Sequence, residues 1–568
     1  MQSLLKKQSD QTSTNMMFVA SALLLALTAG FLVMASISGN VAAAPLPDVI
    51  RTGGPSYPKD AKVAVLVSKR SYIGVPFTIT NEHGIKVFTG HLNKAAHPEP
   101  WAFAATADFS SLTQPGQHRV HVKGLVSRPW RVNSTENTKL VAKLMGFFRA
   151  NRDGYEYASI HKPSHLNDAQ VNNGHHKGKH VELTGGWMDA GDQLHFTQTT
   201  AYTAIILQVA AKLDPYNAKL LRSEADVGIR WLLKAHPFPD SYIGQVGDTR
   251  DHDTDFRDPA TDDHSKLAGI AYRQAYPTDS SSIMAKTAAA LALAAERNAG
   301  RAKSQLLREA VQWYRQGRIY HSAGKPLPGK LYYDVTWQDD MSFAAAMLWR
   351  LTGKTAYLSE AMQYLAHSYD DRLGTPAISV MTAADLCGVL GHAKADVVRV
   401  RNTACAYLRQ AALAAMKIAE KDNAPWGTPG EFLWGHSANN GAGGAVIALA
   451  KRAGLVPQAT YAARARDWLL GLNPWGASMV VGYGVNSPTT PHHWASVMGS
   501  GLPQGAVVGG PASMAELAKN GFSWQGPFNS KRAAYSRTIG NYITSEPALD
   551  YSVNSVFLLA SLSALHGN

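Results

Sequence analysis

Cysteine and charge are both scarce in this sequence. Only Cys387 and Cys405 occur among 568 residues, which excludes a scaffold held by several disulfides, and their separation of 18 residues matches no paired zinc motif. We expect either a buried free pair or one disulfide. Charged residues reach only 17% against 45% hydrophobic residues, a balance that excludes a disordered chain and is typical of a globular protein.

Clusters of positive charge are also missing. Lysine and arginine outnumber aspartate and glutamate by 55 to 42, which gives a formal charge of +13. These basic residues are scattered along the chain, whereas a nucleic-acid interface concentrates them on one patch or stripe. We therefore predict no nucleic-acid partner.

Long apolar runs are limited to one stretch near the N-terminus, residues 16–37. It follows Lys6 and Lys7 and precedes the small residues 42–44, the order of a secretory signal. We predict that residues 1–44 direct export, so that the protein is periplasmic or secreted. The stretch of 22 residues is long enough to span a bilayer, and an uncleaved inner-membrane anchor is therefore the alternative.

Two textures divide the rest of the chain. Residues 45–135 contain short strand-like runs such as 62–67 and 118–122, separated by turn residues, and this spacing predicts an antiparallel β-sandwich. Residues 136–568 contain about a dozen amphipathic runs rich in Ala and Leu, which predict one large all-α domain. A closed toroid of paired helices is the favoured arrangement, although periodicity does not distinguish it from an open solenoid.

Two loop segments carry carboxylates suited to catalysis. Asp189 and Asp192 lie three apart in a glycine-rich turn, and Glu546 precedes Pro547 near the last helix. The first pair could hold and deprotonate a water, and an apolar environment could keep Glu546 protonated. Taken singly, each segment also fits a blander interpretation, a helix-capping turn for the aspartates and a solvated loop for the glutamate.

Between these segments the chain is dense in aromatic residues, glycine and hydrogen-bonding side chains, from Asn473 to Trp494. Such a mixture suits sugars, which need flat surfaces for stacking and polar groups for their hydroxyls. In this order, the DAGD turn, the NPWG and PHHW motifs and the SEPALDY motif resemble glycoside hydrolase family 9. Residues 107–132 likewise resemble the immunoglobulin-like module that precedes some cellulase catalytic domains. The resemblance implies a mainly α protein, with an (α/α)6 barrel preceded by a small immunoglobulin-like sandwich.

The resemblance also implies roles for individual residues. Asp192 would be the general base, Asp189 would help to hold the nucleophilic water, and Glu546 would be the general acid of an inverting hydrolase acting on β-1,4-glucan, endoglucanase-like. The residues implied in substrate binding are His252, Trp434, Tyr483, His492, Trp494 and Tyr551. No cofactor is implied for the chemistry, but Asp339 and Asp340 match an acidic pair at a structural calcium site of the family.

One departure from the family pattern and one charged segment concern the substrate. Trp494 stands where arginine is usual after the two histidines, which we expect to replace hydrogen bonding by a stacking surface. The acidic run from Asp248 to Asp263 is either a solvated loop or a site for a cationic amino sugar. An exo-acting glucosaminidase or oligosaccharide hydrolase of the same family is therefore an alternative, and a non-catalytic carbohydrate-binding protein is a second. A metallohydrolase built on the histidines of residues 161–180 lacks a zinc-binding spacing.

Overall fold

A computed structural model describes residues 46–565, apart from 97–98, 134, 255, 268, 333, 335, 369–371, 391–397 and 524–525. Residues Pro47–Asn568 form one compact unit. The predicted export segment lies outside the described residues. Of the helices that are described, none has both the length and the apolar content needed to cross a membrane.

The N-terminal part of this unit is a β-sandwich. Its strands are β1 (Val49–Arg51), β2 (Ser56–Tyr57), β3 (Val63–Ser68), β4 (Pro76–Asn81), β5 (Lys86–His91), β6 (Asn93–Ala95), β7 (Phe103–Asp108), β8 (Gly116–Val122), β9 (Leu125–Val126) and β10 (Trp130–Val132). One sheet has the strand order β1-β3-β7-β6 and the other the order β2-β10-β8-β4-β5, with β9 paired to β8. The predicted sandwich is confirmed.

Aromatic side chains fill the sandwich core. Tyr57, Phe109 and Trp130 are buried and in mutual contact, with ring centroids 4.8–5.6 Å apart. Strand β3 is buried along its whole length, consistent with its Val-rich sequence. Burial alternates along much of β8, as it does where one face of a strand meets a core and the other meets solvent.

The remainder of the chain is built on twelve longer helices among the described residues. Six form an inner ring: α2 (Thr197–Leu213), α5 (Ser281–Glu296), α7 (Gln338–Thr352), α9 (Ser379–Leu386), α11 (His436–Arg452) and α16 (Leu549–Leu565). Six pack outside them: α1 (Glu136–Ala150), α3 (Ala218–Lys234), α6 (Gly300–Tyr320), α8 (Thr355–Ala366), α10 (Val398–Lys417) and α12 (Thr460–Leu469). Each inner helix contacts the next one, and α16 returns to α2. The predicted (α/α)6 barrel is confirmed, and the open solenoid is excluded.

Composition separates the two rings. The inner helix α5 is buried at all but its last position and is rich in alanine, because small side chains allow a helix to be surrounded by neighbours. The outer helix α6 buries only Leu306, Ala310, Trp313, Tyr314 and Gly317, one stripe of an amphipathic helix. Four short helices lie in the loops: α4 (Thr249–Asp253), α13 (Trp494–Met498), α14 (Met514–Lys519) and α15 (Tyr542–Ser545).

Contacts of several kinds join the sandwich to the barrel. The guanidinium of Arg466 on α12 is ion-paired with Asp60 of the sandwich. Trp101 stacks on Phe528 at 5.6 Å, and the guanidinium of Arg51 donates to the carbonyl of Pro474 at 3.1 Å. The predicted boundary between residues 135 and 136 stays a prediction, since the two parts share one compact unit.

The two cysteines form a disulfide. Cys387 follows α9 and Cys405 lies in α10. The bond therefore ties an inner helix to its outer neighbour, and of the two alternatives left open by the sequence the disulfide is the one found.

Candidate active site

The turn containing Asp189 and Asp192 is fixed by backbone hydrogen bonds. The amide of Asp189 donates to the carbonyl of Leu194 at 2.9 Å, which closes the turn. The Asn151 side chain donates to the carbonyls of Met188 (3.1 Å) and Ala190 (2.9 Å). After the turn, β12 (His195–Phe196) joins a small sheet of order β11-β14-β13-β12, whose other strands are β11 (Gln170–Val171), β13 (Ile243–Val246) and β14 (Gln274–Pro277). This sheet therefore anchors the residues between the turn and the start of α2.

Gly191 brings three distant segments together. Its amide donates to Glu546 Oε1 at 3.2 Å, and its carbonyl accepts from the amide of Trp494 at 3.1 Å. A Cβ at this position would lie 2.1 Å from the carbonyl oxygen of His492, so only glycine permits the approach. The three segments singled out in the sequence therefore converge at this residue.

Asp189 is buried beneath the turn. Its Oδ1 accepts from the hydroxyl of Thr199 at 2.5 Å, and its Oδ2 accepts from the hydroxyl of Tyr332 at 2.6 Å. Burial, helped by the charge of Asp192, raises the pKa of Asp189 to about 8. The side chain is thus held rigidly, with its proton retained near neutral pH.

Asp192 is paired with a histidine. His252 Nδ1 lies 2.6 Å from Asp192 Oδ2, and this hydrogen bond, opposed by partial burial, raises the pKa of His252 to about 9. The amide of Leu194 donates to the other oxygen at 3.3 Å. The predicted substrate residue His252 therefore directly contacts the predicted base.

Glu546 follows the short helix α15. The side chain of Asn541 caps this helix by accepting from the amide of Thr544, and Glu546 is extended, as expected for a residue before proline. Burial, with the charge of Asp192 as the second cause, raises the pKa of Glu546 to about 8. The carboxyl group predicted to be protonated therefore has the environment that keeps it so.

Asp192, His252 and Glu546 line one cleft of about 200 Å³, whereas Asp189 is not among its lining residues. Five predicted residues border it, namely Asp192, His252, His492, Trp494 and Glu546. The other lining residues are Gly191, Gln193, Asp251, Asp253, Thr254, Phe256 and Arg257. The ring of Phe256 meets that of His492 edge-on at 4.8 Å, and His492 Nδ1 bonds to the carbonyl of Ile539 at 2.6 Å.

Trp434 and Tyr551 lie near residues of the cleft. Trp434 is 39% exposed and lies 5.5 Å from the ring of Tyr542, which is 5.9 Å from His492. Tyr551 is close enough to the carboxyl groups for its pKa to be raised well above its usual value, by burial and by the charges of Asp550 and Glu546. Neither residue is among those that line the cleft, so their role in substrate binding stays a prediction.

Trp494 does not have the surroundings that the sequence predicts, and the role of Tyr483 stays a prediction. The indole of Trp494 is 1% exposed and packs with Met188 and Ala495, so its face is covered and the expected stacking surface is wrong. Tyr483 lies in a turn whose flanking glycines pack against Ser478 and Gln504. Tyr483 is not among the residues that line the cleft.

The acidic run from 248 to 263 is mostly paired within the protein. Its carboxylates form ion pairs or hydrogen bonds with other groups of the protein. Asp248 contacts Arg250 and Tyr276, Asp251 contacts Arg257 and Arg273, and Asp262 contacts Arg257 and His165. Asp263 accepts from the backbone amides of Leu166 and Asn167. Asp253 is exposed in the cleft. The run is therefore largely structural, and neither a solvated loop nor an amino-sugar site describes it.

The pair predicted as calcium ligands has other partners. Asp340 Oδ2 lies 2.9 Å from the ammonium of Lys286, and Asp339 Oδ2 accepts from the amide of Ile378 at 2.8 Å. Asp340 Oδ1 is buried without a hydrogen-bond partner among the described residues. Calcium takes six to eight oxygen ligands, and here an ammonium already stands against the carboxylates, so the pair does not fit a calcium site.

A buried group of Asp153, His165 and His195 has ligand atoms within 4.8 Å of one another. His165 Nδ1 and His195 Nε2 both face Asp153 Oδ2, at 2.7 and 2.8 Å. The guanidinium of Arg273 lies 3.3 Å from the same oxygen. Burial opposes protonation of His165, but Asp153 raises its pKa to about 10. A protonated imidazole and a guanidinium make this an ion-pair network, and a metal ion would have to displace both charges.

Sequence patterns missed several residues of the site. Thr199 and Tyr332, which hold Asp189, and Asn151, which holds its turn, lie outside the motifs. Tyr332 is 143 residues from Asp189, and nothing in its local sequence distinguishes it. Only the folded arrangement places it there.

Comparisons with known proteins agree with this geometry. A family model described as glycosyl hydrolase family 9 matches residues 138–559, and one described as the cellulase N-terminal ig-like domain matches residues 57–127. Endoglucanase 15 of Arabidopsis thaliana is 28% identical over 356 residues, which cover 55% of this chain and 70% of that protein. Endoglucanase B of Cellulomonas fimi is 27% identical over 480 residues, 75% of this chain but only 42% of that longer protein.

Solved structures share the fold. A metagenome-derived glycoside hydrolase family 9 endoglucanase superimposes with a TM-score of 0.76 at 23% identity, covering 91% of this chain and 99% of that one. A second structure, described as a complex with a cellobiose-like isofagomine, gives the same TM-score, identity and coverage.

Proposed function

The chain belongs to glycosyl hydrolase family 9, and on that premise we propose that it is an inverting endo-hydrolase of β-1,4-glucan. The observation that supports the proposal is that two carboxyl groups in one cleft have different environments. Asp192 is bound to an imidazolium donor, whereas burial raises the pKa of Glu546 to about 8. Two carboxyl groups whose environments differ in this way are suited to act as base and acid.

Glu546 is the proposed general acid. At neutral pH it holds a proton, which it gives to the glycosidic oxygen as the bond to the anomeric carbon breaks. The amide of Gly191 bonds to Oε1 and would fix the carboxyl group during the transfer. Loss of the proton to the leaving group produces a carboxylate that this same amide stabilises.

Asp192 is the proposed general base. It takes a proton from the water that attacks the opposite face of the sugar ring, in a single displacement without a covalent intermediate. Asp189 helps to hold that water, while Thr199 and Tyr332 keep Asp189 in place. Water and the three carboxyl groups supply every proton and bond of the reaction, so the chemistry needs no cofactor.

β-Glucan is favoured over a cationic amino sugar as the substrate. The described carboxylates of the 248–263 run are mostly neutralised by arginine, histidine and backbone amides, which leaves Asp253 as the exposed one in the cleft. Curated relatives are named endoglucanases, and one structural neighbour is described with a cellobiose-like ligand. His252, Trp434, His492 and Tyr551 are the proposed sugar contacts.

An extracytoplasmic location is the accompanying proposal. The signal-like order of residues 1–44 supports export, and a disulfide between Cys387 and Cys405 suits an oxidising compartment.

The test uses Glu546→Gln and Asp192→Asn, with Glu82→Gln in the sandwich as a matched control. Release of reducing ends from carboxymethylcellulose and from chitosan oligomers is measured for each protein. We expect turnover of carboxymethylcellulose by the wild type and the control, and at least about a thousandfold loss in both site variants, since each removes an acid or base step. Full activity in either site variant refutes its role, and turnover of chitosan alone would favour the amino-sugar hydrolase.

A further inference from the structure

Lys286 on α5 is a fully buried lysine surrounded by acidic residues. Its ammonium lies 2.8 Å from Asp334 Oδ2, 2.9 Å from Asp340 Oδ2 and 2.8 Å from the hydroxyl of Ser282. Burial alone would lower the pKa of this lysine, but Asp334 and Asp340 raise it above its usual value. A buried ammonium is costly unless it is fully paired, and here all three of its donors have acceptors.

Asp334 links this ammonium to the catalytic cleft by two routes. Its Oδ1 accepts from the side chain of Gln198 at 2.6 Å, and the next residue on α2, Thr199, donates to Asp189 Oδ1. Two positions before Asp334 in the chain, Tyr332 donates to Asp189 Oδ2 at 2.6 Å. Asp334 is therefore bonded to the residue that precedes one hydroxyl donor, Thr199, and it lies two positions after the other, Tyr332.

We propose that Lys286 is a positioning residue, an internal cation that fixes Asp334 and, through it, the Tyr332 hydroxyl on Asp189. The importance of Asp189 for turnover rests on the proposed function. The ammonium also explains why Asp339 and Asp340 do not fit a calcium site, because the positive charge of Lys286 already contacts Asp340. A divalent cation is then not required to hold the start of α7 and the segment before it.

The contact chain predicts a specific pattern in a double-mutant cycle. Lys286→Met removes the charge and keeps most of the side-chain volume, and Tyr332→Phe removes only the hydroxyl. We expect each variant to lower kcat on a soluble cello-oligosaccharide by up to about tenfold, the upper range for the loss of one hydrogen bond. If the two act in series, the double variant should fall no more than about threefold below either single variant. Independent losses that multiply to about a hundredfold would overturn the proposal.

A matched control addresses the general cost of losing a buried lysine. Lys62 of the sandwich is also fully buried, and its ammonium donates to the carbonyls of Asp60 and Ser110. Lys62→Met should leave kcat unchanged. If Lys286→Met does not fold, Asp334→Asn takes its place in the cycle, because Lys286 then keeps Asp340 as a partner. The same sub-multiplicative pattern with Tyr332→Phe is expected, and multiplicative losses overturn the proposal.

Two further measurements separate this inference from the proposed function. Urea unfolding of the four proteins of the cycle tests the coupling without substrate: a non-additive shift in the midpoint supports the contact chain, and an additive one overturns it. If the wild type hydrolyses no glucan, the function fails while this coupling still reports on Lys286. Finally, the wild type should keep its kcat after exhaustive treatment with EDTA, and a loss restored by Ca²⁺ would refute the internal cation.

Discussion

Removal of the His252 imidazole is the perturbation that tests the electrostatics of the cleft most directly. His252→Gln deletes a donor that lies 2.6 Å from Asp192 Oδ2 and a positive charge that lowers the pKa of Glu546. The variant leaves both proposed catalytic carboxyl groups, Asp192 and Glu546, in place. It therefore changes their environment without changing their identity.

The size of the effect follows from the geometry. A hydrogen bond to a charged group contributes about 1.5–3 kcal/mol, and the lower end applies because the His252 side chain is 36% exposed and solvent screens it. A loss of about 1.4 kcal/mol corresponds to about a tenfold decrease in kcat/KM. We expect a loss of this order at pH 6–7.

The pH dependence of kcat/KM shows in which direction the variant changes the pKa of Glu546. Burial and Asp192 raise the pKa of Glu546 to about 8, so the acid form is present below that pH and activity is lost as pH rises through it. The hydrogen bond with Asp192 raises the pKa of His252 to about 9, so the imidazole is charged below that pH, including where Glu546 titrates. Because its charge favours the ionised form of Glu546, deletion raises the pKa of Glu546, and the alkaline limb of kcat/KM should move to higher pH.

The assay is kcat/KM on a soluble cello-oligosaccharide from pH 4 to 10, with His492→Gln as the comparison. His492 lines the same cleft, but its Nδ1 bonds to a backbone carbonyl, and burial lowers its pKa, so its loss removes no charge. We expect weaker binding and an unmoved limb in that variant. An alkaline limb in His252→Gln that stays in place or moves to lower pH would refute the reasoning.

Three further changes test the structure around the cleft. Gly191→Ala should reduce turnover by at least about a hundredfold, because the added Cβ would meet the carbonyl of His492 and displace the site. A misplacement of about 1 Å has an effect of that size. Wild-type kinetics in this variant would contradict the close approach. Cys387→Ser should lower the free energy of unfolding by about 3 kcal/mol, because the disulfide restricts the entropy of the unfolded chain. Urea titration with and without reductant measures this loss of stability. Equal unfolding midpoints would show that the disulfide does not stabilise the fold. Trp494→Ala should lower the free energy of unfolding by about 3–5 kcal/mol, measured in the same titration with Trp494→Phe for comparison. A raised KM at unchanged stability would instead support the stacking of Trp494 on a sugar.

Local patterns in the sequence determined the elements and the reactive groups. Three- and four-residue apolar periodicity predicted the helical content of residues 136–568, because helix amphipathicity reflects burial along one element. The DAGD turn and the Glu-Pro dipeptide likewise marked Asp192 and Glu546, since glycine and proline constrain the backbone locally. The closed ring, which periodicity left open, required the contact between α16 and α2.

What the tertiary structure decided is which partner each side chain meets. Trp494 follows two histidines in the sequence, yet packing against Met188 buries it. Asp340 belongs to an acidic pair, yet an ammonium 54 residues away neutralises it. Tyr332 has no distinguishing neighbours, yet it holds Asp189. Burial and charge pairing depend on contacts between residues far apart in the chain. A scarcity of cysteine and of charge could therefore exclude whole classes of protein, but only the fold could assign the remaining charges their partners.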